Sequence, residues 1–277
     1  MAFFLASAMA LASIGSANAW GDRGHSIVAE IAQHHLNPQA AAAVQKLIGP
    51  SSMAGVASWA DDFKNTPAGT GTKPWHYVDI DIAKPGYSED DCKGSCLVSA
   101  LRDQSSLLAD IKRSDADRRK ALLMVIHLVG DSTQPFHCSE RNGDGGANNV
   151  DVFLRINGPD GKELPILPTN LHAVWDESLV NARAYGWGGY ADDLDSKVLP
   201  TLPSPRTDQD FAKAWIDECH IVAQGVYALT PPSSRAGSKA PIALGPDYQK
   251  AAEPVLDKQL ATGGLRLAAL LNKLLGP

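Results

Sequence analysis

The chain has 277 residues, 44% of them apolar and 20% charged, enough for one large domain or two small ones with a real core. Its net charge of −6 excludes a protein that holds duplex nucleic acid on a broad basic face, though not one whose metal ions supply the local positive charge. Beyond the amino terminus no apolar run approaches the roughly 20 residues of a membrane-spanning helix, so stable membrane association is not expected.

In chain order, the apolar run from Ala2 to Ile14 is too short to span a membrane, and Ala17-Asn18-Ala19 after it is a small-residue pattern that a signal peptidase cleaves. Residues 1–19 therefore read as a signal peptide and 20–277 as one exported domain, secreted or periplasmic. Cleavage makes Trp20 the first mature residue, whose free α-amine and carbonyl oxygen can close a five-membered chelate ring on a metal, with His25 near enough to add a third ligand. Apolar spacing predicts helices over residues 26–35 and, after Asn37-Pro38, as far as Ile48, with a shorter one over 51–60. Residues 75–82 alternate and read as extended. Long amphipathic helices follow over 97–112 and 115–129. Residues 150–156 and 164–167 flank the turn Gly158-Pro159-Asp160-Gly161 and predict a small hairpin. Helices over 171–184, 209–229 and 248–275 complete the inventory, with surface loops at Pro200, Pro203, Pro205 and the tract 231–238. The fold class is one mainly α domain with a minor β-hairpin. Four cysteines in an exported chain read as two disulfides. Of three connectivities, the closeness of Cys92 and Cys96 favours a small loop between them, leaving Cys138 with Cys219.

Histidines carry the chemistry. His127 and Asp131 stand four apart on one predicted helix, and His172 and Asp176 repeat that spacing on another, so each pair leaves a single helix face. Either pair alone would pass for a surface ion pair. Together with Asp61, His76, His137, His25 and the Trp20 chelate they make nine candidate ligands, too many for one ion and about right for three. Nitrogen and oxygen donors without free thiolates suit catalytic zinc, and clustered divalent ions suit phosphate ester hydrolysis. His34, His35 and His220 show no carboxylate partner and read as structural or exposed.

The motifs Trp20-Gly21-x-x-Gly24-His25, Trp59-Ala60-Asp61, Trp75-His76-Tyr77, His127-x-x-x-Asp131-x-x-Gln134-Pro135-x-His137 and Asn170-Leu171-His172-x-x-x-Asp176 resemble the zinc-dependent S1/P1 nuclease family, whose fold is shared with bacterial zinc phospholipase C. The resemblance implies three Zn2+ in a buried cleft. The first ion would take Asp61, His76 and His127, and the second His137, His172 and Asp176. The third would take the Trp20 amine and carbonyl with His25, and Asp131 would serve the first and third. It further implies Tyr77 as a ring that stacks a base, Asp79 as a carboxylate bonding the base edge, Lys64 as an ammonium beside the phosphorane, and Asp61 as the group orienting the nucleophile. The expected reaction is hydrolysis of single-stranded RNA and DNA to 5′-phosphate products, with removal of the 3′-phosphate from nucleotides, by a monomer. Asp176, where the phospholipases are expected to carry Glu, favours the nuclease branch. In this chain Asp144-Gly145-Gly146-Ala147-Asn148-Asn149 has one residue more than the family's Gly-Gly-Asn run, which shifts Asn148, a candidate base contact. The other readings are a zinc phospholipase C and an exported zinc-binding protein without catalysis.

Overall fold

The computed structural model describes residues 20–230 and 240–276; the expected signal peptide and the loop tract 231–238 lie outside the described residues. Helix α1 (Asp22–His34) buries the stripe Ile27, Val28, Ile31 and Ala32 and also turns Gly24 and His25 inward. Asn37 caps α2 (Pro38–Ile48) by accepting from the Ala40 amide at 2.8 Å, Pro38 presets its first turn, and Gly49 at φ 71° ends it. Residues 51–60 form not one helix but the separate α3 (Met53–Val56) and the start of α4 (Trp59–Lys64). The break between them leaves the Ala57 carbonyl free to accept from a side chain.

Extension also begins later than expected. Thr70–His76 is a 3-10 turn containing Pro74, whose fixed φ suits a tight turn, and the extended backbone starts at Tyr77. There the Val78 amide donates to the His137 carbonyl at 2.8 Å, and Ile80 and Ile82 pair with Glu140. Those bonds bring His76 beside His137 from 61 residues away. Helices α5 (Leu97–Ala109) and α6 (Asp115–Asp131) pack on each other. Ser114 caps α6 by accepting from the Asp117 amide at 3.1 Å, while Asp115 and Asp117 meet the positive end of its dipole. From Ala121 to Asp131 every residue is buried, so this helix is enclosed by the others.

The hairpin is present, with a first strand shorter than expected and a second strand that starts later. Strand β1 (Asp151–Leu154) pairs antiparallel with β2 (Leu167–Asn170), Asp151 opposite Asn170, with an isolated bridge between Asn157 and Glu163 nearer the turn. The next helical stretch is α7 (Leu171–Ala173), a π turn over Val174–Ser178 and α8 (Leu179–Arg183). Helix α9 (Trp187–Lys197) was not anticipated; Gly188 and Gly189 dilute the signal of its buried Tyr190, Ala191 and Leu194. Its Asp195 takes His35 Nε2 at 2.6 Å and His34 Nδ1 at 3.3 Å, which corrects the reading that these histidines lack a carboxylate partner. His220 is structural as expected, bonded to Ser139 at 2.6 Å and the Lys84 carbonyl at 2.9 Å. It lies on α10 (Phe211–Ala228), after which an unexpected strand, β3 (Ile242–Leu244), adds to β1 in parallel. Both disulfides pair as expected, Cys92 with Cys96 and Cys138 with Cys219. Among the described residues no helix is long and apolar enough to cross a membrane.

The last helix, α11 (Pro246–Leu275), packs on α1 and α6. Gly263 and Gly264 make the α1 crossing close: a Cβ on Gly264 would stand 2.6 Å from the Ile31 Cβ, and one on Gly263 3.0 Å from a Val28 methyl. Gly264→Ala is therefore expected to destabilise the fold by about 1–3 kcal/mol, as overpacking does. Gly225→Ala on α10, where an added Cβ meets nothing within 4 Å, should instead stabilise by about 0.4–1 kcal/mol. Denaturant titrations of the two variants check this, and coincident midpoints would refute the close crossing.

Candidate metal centre

Six helical or turn segments deliver the eight histidine and aspartate candidates. His25 comes from α1, Asp61 from α4, His76 from the end of the Thr70–His76 turn, and His127 with Asp131 from the last two turns of α6. His137 ends the turn Pro135–His137, and His172 and Asp176 flank the start of the π turn. None of the eight is more than 4% exposed.

They converge into three groups: Asp61, His76 and His127; His137, His172 and Asp176; and His25, His127 and Asp131. In the first, His76 Nδ1 is 3.1 Å from His127 Nε2, and Asp61 Oδ1 is 3.5 and 3.6 Å from those two atoms. In the second, His137 Nε2 lies 3.1 Å from His172 Nε2, which lies 3.2 Å from Asp176 Oδ2. Asp131 stands between the groups. Its Oδ2 is 3.1 Å from His76 Nδ1 and 3.4 Å from His127 Nε2, and its Oδ1 is 3.4 Å from His25 Nε2.

The donor set fits metal ions. Two atoms that are each 2.0–2.1 Å from a tetrahedral zinc stand about 3.3 Å apart, which is the spacing within these groups. Seven buried side-chain atoms of His25, Asp61, His76, Asp131 and Asp176 have no hydrogen-bond partner, among them both oxygens of Asp131. Buried polar atoms left so are unfavourable unless something else satisfies them, and these gather about common centres. The tautomers agree. The Nδ1–H of His127, His137 and His172 donates to the carbonyls of Ala57, His76 and Gly146 at 2.8, 2.6 and 2.5 Å, which turns each Nε2 inward. Gln134 donates through Nε2 to Asp176 and accepts the Phe136 amide at 2.5 Å, so it orients that carboxylate.

Electrostatics point the same way. Burial opposes charge on Asp131, yet His127, His25 and His76 outweigh it and hold the carboxyl well below its usual range. Burial likewise opposes a proton on His127, but Asp131 and Asp61 raise it to about 9. Burial wins at His137, pulled down to about 3. The apoprotein thus places cationic His127 where a divalent ion would balance the carboxylates.

Above the groups lies a cleft of ≈ 380 Å³ with His76, His137 and His172 at its floor. Tyr77, 42% exposed, and Asp79 line its wall, and burial raises the Asp79 carboxyl. Lys64 faces the cleft and ion-pairs with Asp61, its side chain only 12% exposed, so it is no solvated lysine. Asn148 sits at the rim, donating to the Gly145 carbonyl at 3.0 Å. The extra residue before it is absorbed by left-handed backbone at Gly145, Gly146 and Ala147. Gly146 must be glycine, since a Cβ there would stand 2.3 Å from the Phe136 carbonyl oxygen. The Trp20 indole is buried and donates to Thr133 Oγ1 at 3.2 Å, and the Gly21 amide bonds the Asp176 carbonyl at 2.9 Å, which pins Trp20 and Gly21 beside the cluster. Sequence reasoning missed Lys73, another cleft residue, and the carbonyls of Ala57 and Gly146, which leave no side-chain signature.

The family profile S1/P1 Nuclease matches residues 20–276. Nuclease S1 of Aspergillus oryzae (strain ATCC 42149 / RIB 40) is 28% identical over 96% of this chain and 95% of its own. Nuclease P1 of Penicillium citrinum is 29% identical over 93% and 98%, and Endonuclease 3 of Arabidopsis thaliana 27% identical over 94% and 90%. Among solved structures, the alpha-toxin of Clostridium perfringens from avian strain SWCP aligns over 95% of this chain and 66% of its own, at 13% identity and a TM-score of 0.46, too loose a likeness to bear on the argument. The protein is a hydrolase of phosphodiester bonds, a nuclease. The chain belongs to the S1/P1 nuclease family.

Asp131→Asn keeps the size of the side chain and removes its charge from between the groups. Bound metal per chain, read by elemental analysis, is expected to fall and nuclease activity to drop to background, with the far-ultraviolet circular dichroism unchanged. Full metal content in the variant would show that Asp131 is not a ligand.

Proposed function

We propose that this nuclease is an exported, monomeric zinc enzyme that cleaves single-stranded RNA and DNA to 5′-phosphate products and removes the phosphate from 3′-nucleotides. The observation that carries the reading is the buried His–Asp cluster at the floor of a cleft walled by the exposed ring of Tyr77. Two disulfides favour an oxidising compartment. Three zinc ions are assigned: one to Asp61, His76 and His127, one to His137, His172 and Asp176, and one to the Trp20 amine and carbonyl with His25, with Asp131 serving the first and third. When bound, such ions lower the pKa of water and offset charge on phosphoryl oxygens.

The residues of the chain supply the rest. Asp61, fixed by Lys64, accepts a hydrogen bond from the attacking water and aligns it with phosphorus. Water adds to phosphorus in line while the bond to the 3′-oxygen breaks, and that oxygen leaves with a proton. The Lys64 ammonium faces the cleft at the height of Asp61 and offsets charge on the phosphate. Tyr77 stacks one base, worth about 1–3 kcal/mol and tolerant of sequence, and Asp79 accepts from the edge of that base. Asn148 stands at the rim as a further base contact. A base must leave its stack to reach Tyr77, so duplexes react poorly. Purified zinc-loaded protein assayed on single-stranded oligonucleotides, duplexes, 3′-nucleotides and phosphatidylcholine tests the assignment; turnover of the lipid alone would overturn it.

For Tyr77→Ala, KM on oligonucleotides should rise roughly tenfold, the equivalent of about 1.4 kcal/mol, with zinc content unchanged. Unaltered Michaelis constants on several oligonucleotides would make Tyr77 a packing residue only.

The third ion depends on the amino terminus. A chain that begins before Trp20 presents an amide nitrogen there, a poor donor at neutral pH, and cannot form the same chelate. Proteins beginning at Trp20 and at Ala19 are therefore expected to differ by one zinc ion and by most of the activity, while both keep the other two sites. Metal analysis and turnover of the matched pair decide the point, and equal values in both would remove Trp20 from the ligand set.

A further inference from the structure

Tyr77 stands between two concavities. One is the cleft above the metal groups. The other, ≈ 360 Å³, opens toward the loop closed by Cys92 and Cys96, and both Tyr77 and Asp79 line each of them. The loop is tightly turned, with Lys93 and Gly94 at φ 45° and 95°, and Lys93 edges the second concavity from an exposed position. No carboxylate lies within ion-pair reach of Lys93 among the described residues. The other acid there, Asp91, is already engaged: one oxygen takes Lys84 Nζ at 2.6 Å and the other takes the Ser88 amide and hydroxyl, both at 2.8 Å. Lys93 is thus an exposed cation with no ion pair among the described residues, its charge felt by Asp79 and Glu140, beside a half-exposed aromatic ring.

We propose that this second concavity is a subsite for the neighbouring nucleotide of the same single strand, whose base stacks on the face of Tyr77 turned away from the metal groups and whose phosphate meets Lys93. The inference rests on the nuclease reading of Tyr77 above and adds a second base and a second phosphate to it. The geometry suits a single strand. Two bases on opposite faces of one ring stand about 7 Å apart, twice the stacked rise of about 3.4 Å. An unpaired strand reaches that step by unstacking, whereas a duplex must break pairs to do so. Occupation of both faces also makes the substrate at least a dinucleotide for full binding, while a mononucleotide fills the cleft alone.

The test compares wild type, Lys93→Ala and Lys93→Glu on single-stranded oligonucleotides over a range of salt, beside the inhibition constant of a 5′-mononucleotide. Melting temperature and zinc content serve as controls for folding. In Lys93→Ala the KM for oligonucleotides should rise several-fold, and the slope of log(kcat/KM) against log salt should become shallower by about 0.7, the value for one lost phosphate contact on a single strand. Lys93→Glu should raise KM further. The mononucleotide inhibition constant should not move in either variant. An unchanged salt slope, or equal changes for mononucleotide and oligonucleotide, would overturn the subsite while leaving the nuclease reading intact. A wild-type protein inert toward single-stranded oligonucleotides would overturn both.

Discussion

Asp131 is an ionised carboxylate with no access to water, at the end of a helix whose second half is buried on every side, and the rest of the site is arranged around that charge. A buried charge in apolar surroundings is strongly unfavourable unless opposite charge and hydrogen bonds meet it. Here imidazoles from α1, the Thr70–His76 turn and α6 itself crowd both oxygens at 3.1–3.4 Å without hydrogen-bond geometry. Imidazoles alone answer the problem only if protonated, and burial drives His25 and His76 away from that state. Divalent ions would resolve the conflict, because neutral imidazoles and charged carboxylates could then share one centre, and metal binding would in that case be coupled to folding of the core.

Precision in the cluster comes from the backbone. Three histidines are held by carbonyls rather than by side chains, and each carbonyl is available because a local element is interrupted. Ala57 lies in the break between α3 and α4, His76 at the end of a 3-10 turn, and Gly146 in a left-handed run that only glycine could pack against Phe136. Gly130 serves the same purpose from inside α6, since a Cβ there would stand 2.7 Å from His25 Nδ1. The Cys138–Cys219 bond then ties the residue after His137 to α10. The irregular places are where ligands are oriented, and the regular helices supply the rigid frame behind them.

That division explains what the sequence made legible. The paired His-x-x-x-Asp spacings become contacts because a helix repeats every 3.6 residues, and they survive even the π turn at Val174–Ser178, where His172 and Asp176 still meet at 3.2 Å. The Cys92–Cys96 disulfide, the central helices and the hairpin follow from equally local signals, and Cys138–Cys219 from the two cysteines that remain. The carbonyl partners did not, since a backbone oxygen carries no residue identity. Nor did β3, whose three residues are too few to show a period, or the pairing of Asp195 with His34 and His35 across 160 residues of sequence. The early start assigned to the extended segment overlooked Pro74. Single-helix reasoning over residues 51–60 overlooked the interruption that serves His127.

A net charge of −6 and a nucleic-acid substrate are reconciled by where the charges lie. Exposed acids pair on the surface with lysines and arginines of their own, as Asp193 does with Lys197 and Glu163 with Arg155. Lys64 and Lys73 face the cleft, so lysine charge is concentrated near the metal groups, Lys64 there paired with Asp61. An acidic exterior offers no hold to a duplex, whose phosphates would have to lie on a broad surface. A single strand needs only a few nearby cations and a ring on which to stack, and Lys64, Lys73 and Tyr77 line one cleft. The selection for unpaired substrate proposed above would therefore follow from the smallness of the basic region as much as from the width of the cleft.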